Sequence, residues 1–116
     1  MNSIIKINAR ILDEIVKHSL IKRNLECGGF LFGNYQTNYG NQIINIEAIY
    51  YERLFGTENK FVFSPAYKYR ALCYGKSIRS SFIGCYHSHA NYPAIFSSVD
   101  RKMELYLEFC SKNELT

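Results

Sequence analysis

Residues 80–89 read SSFIGCYHSH. The apolar content of Phe82, Ile83, Cys85 and Tyr86 marks a buried strand, and the two histidines at its end govern the reading of everything around it. In an extended strand alternate side chains share a face, so His87 and His89 point one way and Ser88 the other. Two imidazoles on one face can converge on a metal ion. A His-x-His pair also occurs as ordinary hydrogen-bonded strand residues, so the pair alone is a weak signal. Cys85 shares the histidine face and could compete as a ligand, but a core thiol is the expected role.

Downstream, a loop at residues 90–96 contains Pro93, and Ser97 opens an expected last helix bearing Met103, Leu105, Tyr106, Leu107 and Phe109. Upstream, Ser64 followed by Pro65 is a helix start, because serine caps free amides and proline at the first helical position loses no needed hydrogen bond. That helix should run to about Gly75. Before it lie the short extended FVF of residues 61–63 and a polar, exposed loop at residues 51–60 containing Gly56, Thr57, Glu58 and Asn59. CGGFLFGNY and NQIINIEAIY are two strand-like runs separated by Thr37, Asn38, Tyr39 and Gly40, a hairpin composition. Asn8 is placed to cap a first helix in which Ile11, Leu12, Ile15, Val16, Ser19 and Leu20 recur at three-to-four spacing, with Lys22 and Arg23 near its negative end. With a short strand from Ile4 to Ile7, the order is α-β-β-α-β-α: an α/β chain with a mixed β-sheet flanked by helices.

The chain has 116 residues, enough for one hydrophobic core and too few for two, so one domain spanning residues 1–116 is expected. Apolar residues at 47% and charged residues at 21% exclude the profile of a disordered chain. Ten Tyr and eight Phe without Trp predict a core walled by rings. The longest apolar stretch is broken by Asp13, Glu14, Lys17 and His18, far short of the roughly 20 residues that span a bilayer. Lys6 and Arg10 interrupt the N-terminus, which does not read as a secretory signal, so a cytoplasmic protein is expected. Cys27, Cys73, Cys85 and Cys110 form no CxxC pair and are expected to be reduced, mostly buried thiols. A net charge of +4 without a basic run leaves no nucleic-acid footprint and is read as solubility.

A catalytic zinc site takes three protein ligands and leaves the fourth position open. The histidines need a third ligand, and Asp100 is the candidate: with a helix starting at Ser97 it lies in the first turn, and residues 90–96 are long enough to bring that turn over the histidine strand. Ser97 and Asp100 also read as a helix-capping pair. Glu26 by itself reads as a charge at a helix-to-strand junction.

Together these residues form an ordered string: Glu26, then His87-Ser88-His89, seven residues, Ser97, two residues and Asp100. This string resembles the JAMM signature of the JAB/MPN metalloprotease family, Glu…His-x-His-x7-Ser-x2-Asp, with every position filled. LECGGFLFG is similar to the family's first catalytic strand and FVFSP to the approach to its central helix. Residues 84–100, GCYHSHANYPAIFSSVD, are similar to the bacterial form GxYHSHPxxPAxPSxxD, and the resemblance covers residues 11 to about 109. Ala90 and Phe96 stand where that form has prolines, which loosens the loop without removing a ligand.

The resemblance implies a JAB/MPN, cytidine-deaminase-like architecture. One Zn²⁺ per chain would be held by His87, His89 and Asp100, with Glu26 as general base, Ser97 as donor to the oxyanion and His18 uninvolved. Deaminase chemistry itself is disfavoured, since neither His-x-Glu nor Pro-Cys-x-x-Cys is present. Bacterial members with YHSH resemble peptidases of ubiquitin-like proteins, including sulfur carriers with glycine-rich tails, so such a carrier is the implied substrate and partner, through either a peptide or an isopeptide bond. The family normally continues into one or two strands after the last helix. The shorter C-terminus implies a minimal member lacking those strands, a fragment, one completed by a homodimer mate or partner protein, or an inactive relic. A non-catalytic MPN scaffold is the other alternative, opposed by the complete ligand set.

Overall fold

A computed structural model describes residues 3–89 and 106–111. In chain order these form β1 (Ser3–Ile7), α1 (Ala9–Leu20), β2 (Gly28–Asn38), β3 (Asn41–Tyr50), α2 (Pro65–Ser77), β4 (Ser81–His89) and β5 (Tyr106–Ser111). Both helices begin as their sequences dictate. The Asn8 side chain accepts from the Ile11 amide at 2.8 Å, and the Ser64 side chain accepts from the Tyr67 amide at 3.1 Å with Pro65 in the first turn.

The strands lie in the order β1-β3-β2-β4-β5. β1 is parallel to β3, and every other pairing is antiparallel, which makes the sheet mixed. The β2–β3 hairpin turns on Tyr39 and Gly40 alone, with φ of 51° and 81°. Positive φ at both central residues is what a two-residue turn with the right twist needs, so Thr37 and Asn38 belong to the strand rather than the turn. Where β2 shifts register against β3, at Phe32/Gly33, a β-carbon on Gly33 would stand 1.7 Å from the Asn45 carbonyl oxygen, so only glycine fits.

A second irregularity matters more for function. Leu31 pairs with Gly84 and Phe32 with Phe82, leaving Ile83 as an extra residue in β4. The bulge resets the alternation, so that Ile83 and Tyr86 pack with Ile11, Ile15, Leu31, Ile46 and Ile49 on the α1 side of the sheet. Cys85 packs with Phe30, Phe32, Tyr67 and Ala71 on the α2 side, where Phe82 also packs. Each helix thus covers one face, and the histidines, two and four residues after Cys85, emerge on the α2 side.

The expected last helix requires correction. Tyr106, Leu107 and Phe109 lie in β5, which pairs with β4 through His89↔Tyr106, His87↔Glu108 and Cys85↔Cys110. A short, nearly unbroken apolar run is compatible with either helix or strand, and β4 offers an edge whose amides and carbonyls need partners. A strand therefore follows β4 at the position where a helix was expected. Its expected start at Ser97, with Met103 and Leu105, lies outside the described residues. Residues 61–63 also join no strand; Phe61 and Phe63 instead pack their rings on each other and on Tyr67. Among the described residues no helix is long and apolar enough to cross a membrane.

His18, on the inner side of α1, is fully buried. Its Nε2 lies 3.2 Å from the Glu52 carbonyl, which can only accept, so Nε2 carries the proton and Nδ1 accepts from the Tyr86 hydroxyl at 2.7 Å. The ring also stacks on Tyr51 at 4.1 Å. Burial, opposed only in part by the bond to Glu52, lowers its pKa from 6.5 to about 4. The contribution of this neutral histidine is complete above pH 6.5, where neither state is charged, and is lost as pH falls towards 4 because only the unfolded chain takes up the proton. Urea unfolding should show a loss of about 3 kcal/mol from this group across that interval. The His18→Gln variant should be less stable at pH 7 yet show a shallower decline; an unchanged decline would remove His18 as its source.

Candidate active site

The site is assembled where the end of β4 meets the residue pair that precedes β2. His87 and His89 share a face, with ring centroids 4.7 Å apart and an interplanar angle of 52°. Glu26 comes in from the neighbouring chain segment: Oε1 lies 4.0 Å from His87 Nδ1 and Oε2 lies 3.8 Å from His89 Nδ1. These separations exceed a direct hydrogen bond, so the carboxylate faces both imidazoles without being bonded to either at those atoms. Glu26 is only 4% exposed, unlike a solvated charge at a helix-to-strand junction. A carboxylate withdrawn from water needs a positive or hydrogen-bonding environment, which points to a role at this position.

The backbone explains why Glu26 stays there. Its amide donates to the Thr57 carbonyl at 2.9 Å, and its carbonyl accepts from the Gly56 amide at 2.8 Å. Cys27 bridges Phe55 in antiparallel fashion. The segment at residues 51–60 is largely exposed, as its composition predicts, yet its backbone is tied to the residues that lead into β2. Arg70 holds it further through a two-pronged ion pair to Glu52, at 2.7 and 2.8 Å, which together with the Tyr50 hydroxyl keeps the Glu52 carboxyl below its usual range. The Tyr67 hydroxyl donates to the Gly28 carbonyl at 2.6 Å and accepts from the Glu52 amide at 3.1 Å. Burial pushes that phenol above its ordinary range.

The remaining expected residues divide cleanly. Cys85 is 1% exposed within the Phe30, Phe32, Tyr67 and Ala71 cluster, the core position expected for it. Cys27 is buried as well, and burial raises its thiol pKa, which disfavours the nucleophilic thiolate. Among the described thiols Cys27 and Cys85 are buried as expected and Cys73, on α2, is the exposed exception. His18 faces the other side of the sheet with Tyr86. Ser97 and Asp100 lie outside the described residues. Among the described residues no group of three His, Cys, Asp or Glu side chains forms a metal site. The donors that are described, two imidazoles on one face beside a carboxylate, match the nitrogen and oxygen preference of zinc but require a third ligand.

Three features of the site were not evident from residue type alone. Ser88, Tyr67 and residues 55–57 fix Glu26 and the start of β2, and the only advance signal was the hydroxyl between two histidines. The position of Gly28 and Gly29 also has a physical reason: a β-carbon on Gly29 would stand 2.6 Å from the Tyr86 ring, and one on Gly28 would meet Phe63 at 2.6 Å.

With this fold and site in hand, comparison identifies the class. A family described as prokaryotic homologs of the JAB domain matches residues 8–111, and the chain belongs to this Prok-JAB family. The chain is also similar to protein DSY2949 from Desulfitobacterium hafniense, known from its solution structure, with a TM-score of 0.61 and 22% sequence identity. That likeness covers 86% of this chain and 66% of the other, and it concerns the fold. No curated protein matches the chain.

Tyr67→Phe deletes one hydroxyl that serves both Gly28 and Glu52 and leaves their carbonyl and amide without it. Urea titration should show a destabilisation of about 1–3 kcal/mol with an unchanged m-value. A neutral effect would mean that water replaces the hydroxyl at no cost.

Proposed function

We propose that this chain is a zinc-dependent peptidase that hydrolyses a peptide or isopeptide bond at the C-terminus of a ubiquitin-like or sulfur-carrier protein. The observation that carries the reading is the buried Glu26 carboxylate facing two imidazoles on one strand face, at 4.0 and 3.8 Å. Membership of the Prok-JAB family and the filled JAMM string support it.

His87, His89 and Asp100 would hold Zn²⁺, as the resemblance implies. When bound, the ion supplies a Lewis acid that brings the pKa of a water molecule to about 7. Glu26 does the proton work: its carboxylate accepts the water's proton and returns it to the departing amine, a contribution of order 10²–10⁴ in rate. Burial favours this, because a carboxylate with little solvent around it exchanges its proton with the reacting groups. Ser97 would donate its hydroxyl to the developing oxyanion, worth about 2.7–4 kcal/mol by comparison with other such donors.

The substrate reading draws on the YHSH form of the motif and on the surface beside Glu26. Leu54, Phe55, Gly56, Thr57, Phe61 and Val62 line an apolar groove of about 470 Å³. Its Gly56–Thr57 stretch is bonded to Glu26, so an extended tail lying there would end close to the carboxylate. A Gly-Gly tail suits such a place, since it has no side chains to hold its backbone away.

Elemental analysis should find about one zinc per chain in the wild type and a loss of it in His87→Ala; equal zinc in both, or none in either after zinc loading, contradicts the ligand assignment. Glu26→Ala should keep its zinc and lose hydrolysis by about 10²–10⁴-fold. If that variant instead purifies without metal, Glu26 is a ligand and not the base. A folded ubiquitin-like protein with a C-terminal extension should be cleaved after Gly-Gly in preference to its isolated tail. Equal digestion of casein would indicate a general protease.

A further inference from the structure

We propose that Ser88, the residue between the two histidines, is a positioning residue that holds Glu26 in register with them. It is not a catalytic residue, because its side chain lies on the opposite face of β4. The proposal rests on the peptidase reading for its consequence in catalysis, but its geometry stands on the fold alone.

The regular pairing of β2 with β4 reaches Gly28↔His87. One step beyond, the Ser88 amide still donates to the Cys27 carbonyl at 2.9 Å. The return bond is different: the Cys27 amide donates to the Ser88 side-chain oxygen at 3.0 Å. A side chain has taken the place of a main-chain partner at the last contact between the two segments. Cys27 and Ser88 are 0% and 3% exposed, so water does not readily substitute.

Immediately before Cys27 the chain leaves β4 and takes residues 55–57 as its partner, through the Glu26–Thr57 and Gly56–Glu26 bonds. Glu26 therefore has its main chain fixed to residues 56–57, and among the described residues its main-chain connection to β4 runs through Cys27. Ser88 makes both bonds that join the Cys27 main chain to β4, and the residues on either side of it carry the two imidazoles. A single residue thus couples the carboxylate to the histidine pair over a distance of one peptide unit on each strand. The reverse face seals this junction, with Cys27 Sγ 3.6 Å from the Ser88 hydroxyl and 3.9 Å from His18 Nδ1.

Alanine at position 88 removes the acceptor and leaves the Cys27 amide buried without a bond, a situation relieved by separation of the two segments. The carboxylate then drifts from the imidazoles, and a shift near 1 Å in a proton-handling group costs roughly 10²-fold in rate. Threonine retains the oxygen and should restore the register.

The test is solution NMR combined with kinetics on the full chain. In the wild type the Cys27 amide should be among the slowly exchanging protons, and the Glu26 γ-protons should give cross-relaxation to the His87 and His89 rings. Ser88→Ala should speed exchange at Cys27 and weaken those cross-peaks, with zinc content unchanged, KM unchanged and kcat lowered roughly 10²-fold; Ser88→Thr should recover both signals. Fast exchange of the Cys27 amide in the wild type, or wild-type cross-peaks in Ser88→Ala, would overturn the proposal. If Ser88→Ala fails to fold, the wild-type exchange rate and Ser88→Thr decide alone. Absence of hydrolysis by the wild type would remove the peptidase reading and leave the NMR result to judge the positioning claim separately.

Discussion

The junction between the start of β2 and the end of β4 is the constraint on which the site depends. Two hydrogen bonds exchanged by Cys27 and Ser88 bring two distant stretches of sequence to adjacent positions. Because side chains alternate along an extended chain, the same junction sends Glu26, His87 and His89 to one face and Cys27, Ser88 and Tyr86 to the other. Neither face can be rearranged without the other. A slip of one residue would exchange the carboxylate for a thiol and the imidazoles for hydroxyls.

This coupling gives the two faces different chemistry. On the α1 side, Tyr86, His18, Cys27 and Ser88 satisfy one another in a buried polar network among the isoleucines of the core. Fully satisfied networks of this kind fix a unique arrangement, whereas a half-satisfied one is worse than an apolar core. On the α2 side the aromatic cluster of Phe30, Phe32, Phe63 and Tyr67 ends where the histidines begin. The polar site thus opens at the margin of a rigid ring-packed core, and the Ile83 bulge determines which margin that is.

Much of the fold was legible in the sequence because local chemistry and global need agree. Asn8, Ser64 and Pro65 begin helices in the structure as their side chains require, and of the periodic set in residues 11–20 Ile11, Ile15 and Ser19 mark the buried side of α1, while Leu12 and Leu20 are exposed and the buried His18 falls outside the pattern. The strand at Ile4 to Ile7 and the hairpin after Gly28 follow from the same agreement. β5 was not legible, since YLEFCS contains no alternation that excludes a helix and its state is settled by the open edge of β4. The tie between residues 56–57 and Glu26 was also hidden: the segment is polar and largely exposed, as its composition indicates, and its role comes from backbone bonds that any sequence could make. In the site, alternation placed His87 and His89 together, while the approach of Glu26 from 61 residues away follows only from the resemblance or the fold. Ser88 was read correctly as facing away, but its destination against Cys27 depends on strand pairing that composition does not encode.

We propose that the face bearing Glu26, His87 and His89 is a zinc centre built from imidazole and oxygen donors, with Cys85 kept in the core. X-ray absorption at the zinc edge of the zinc-loaded chain tests it most directly. The account predicts nitrogen and oxygen donors at about 2.0–2.2 Å with the outer-shell pattern of two imidazoles and no sulfur. A sulfur scatterer at about 2.3 Å, or a spectrum without imidazole, would contradict it.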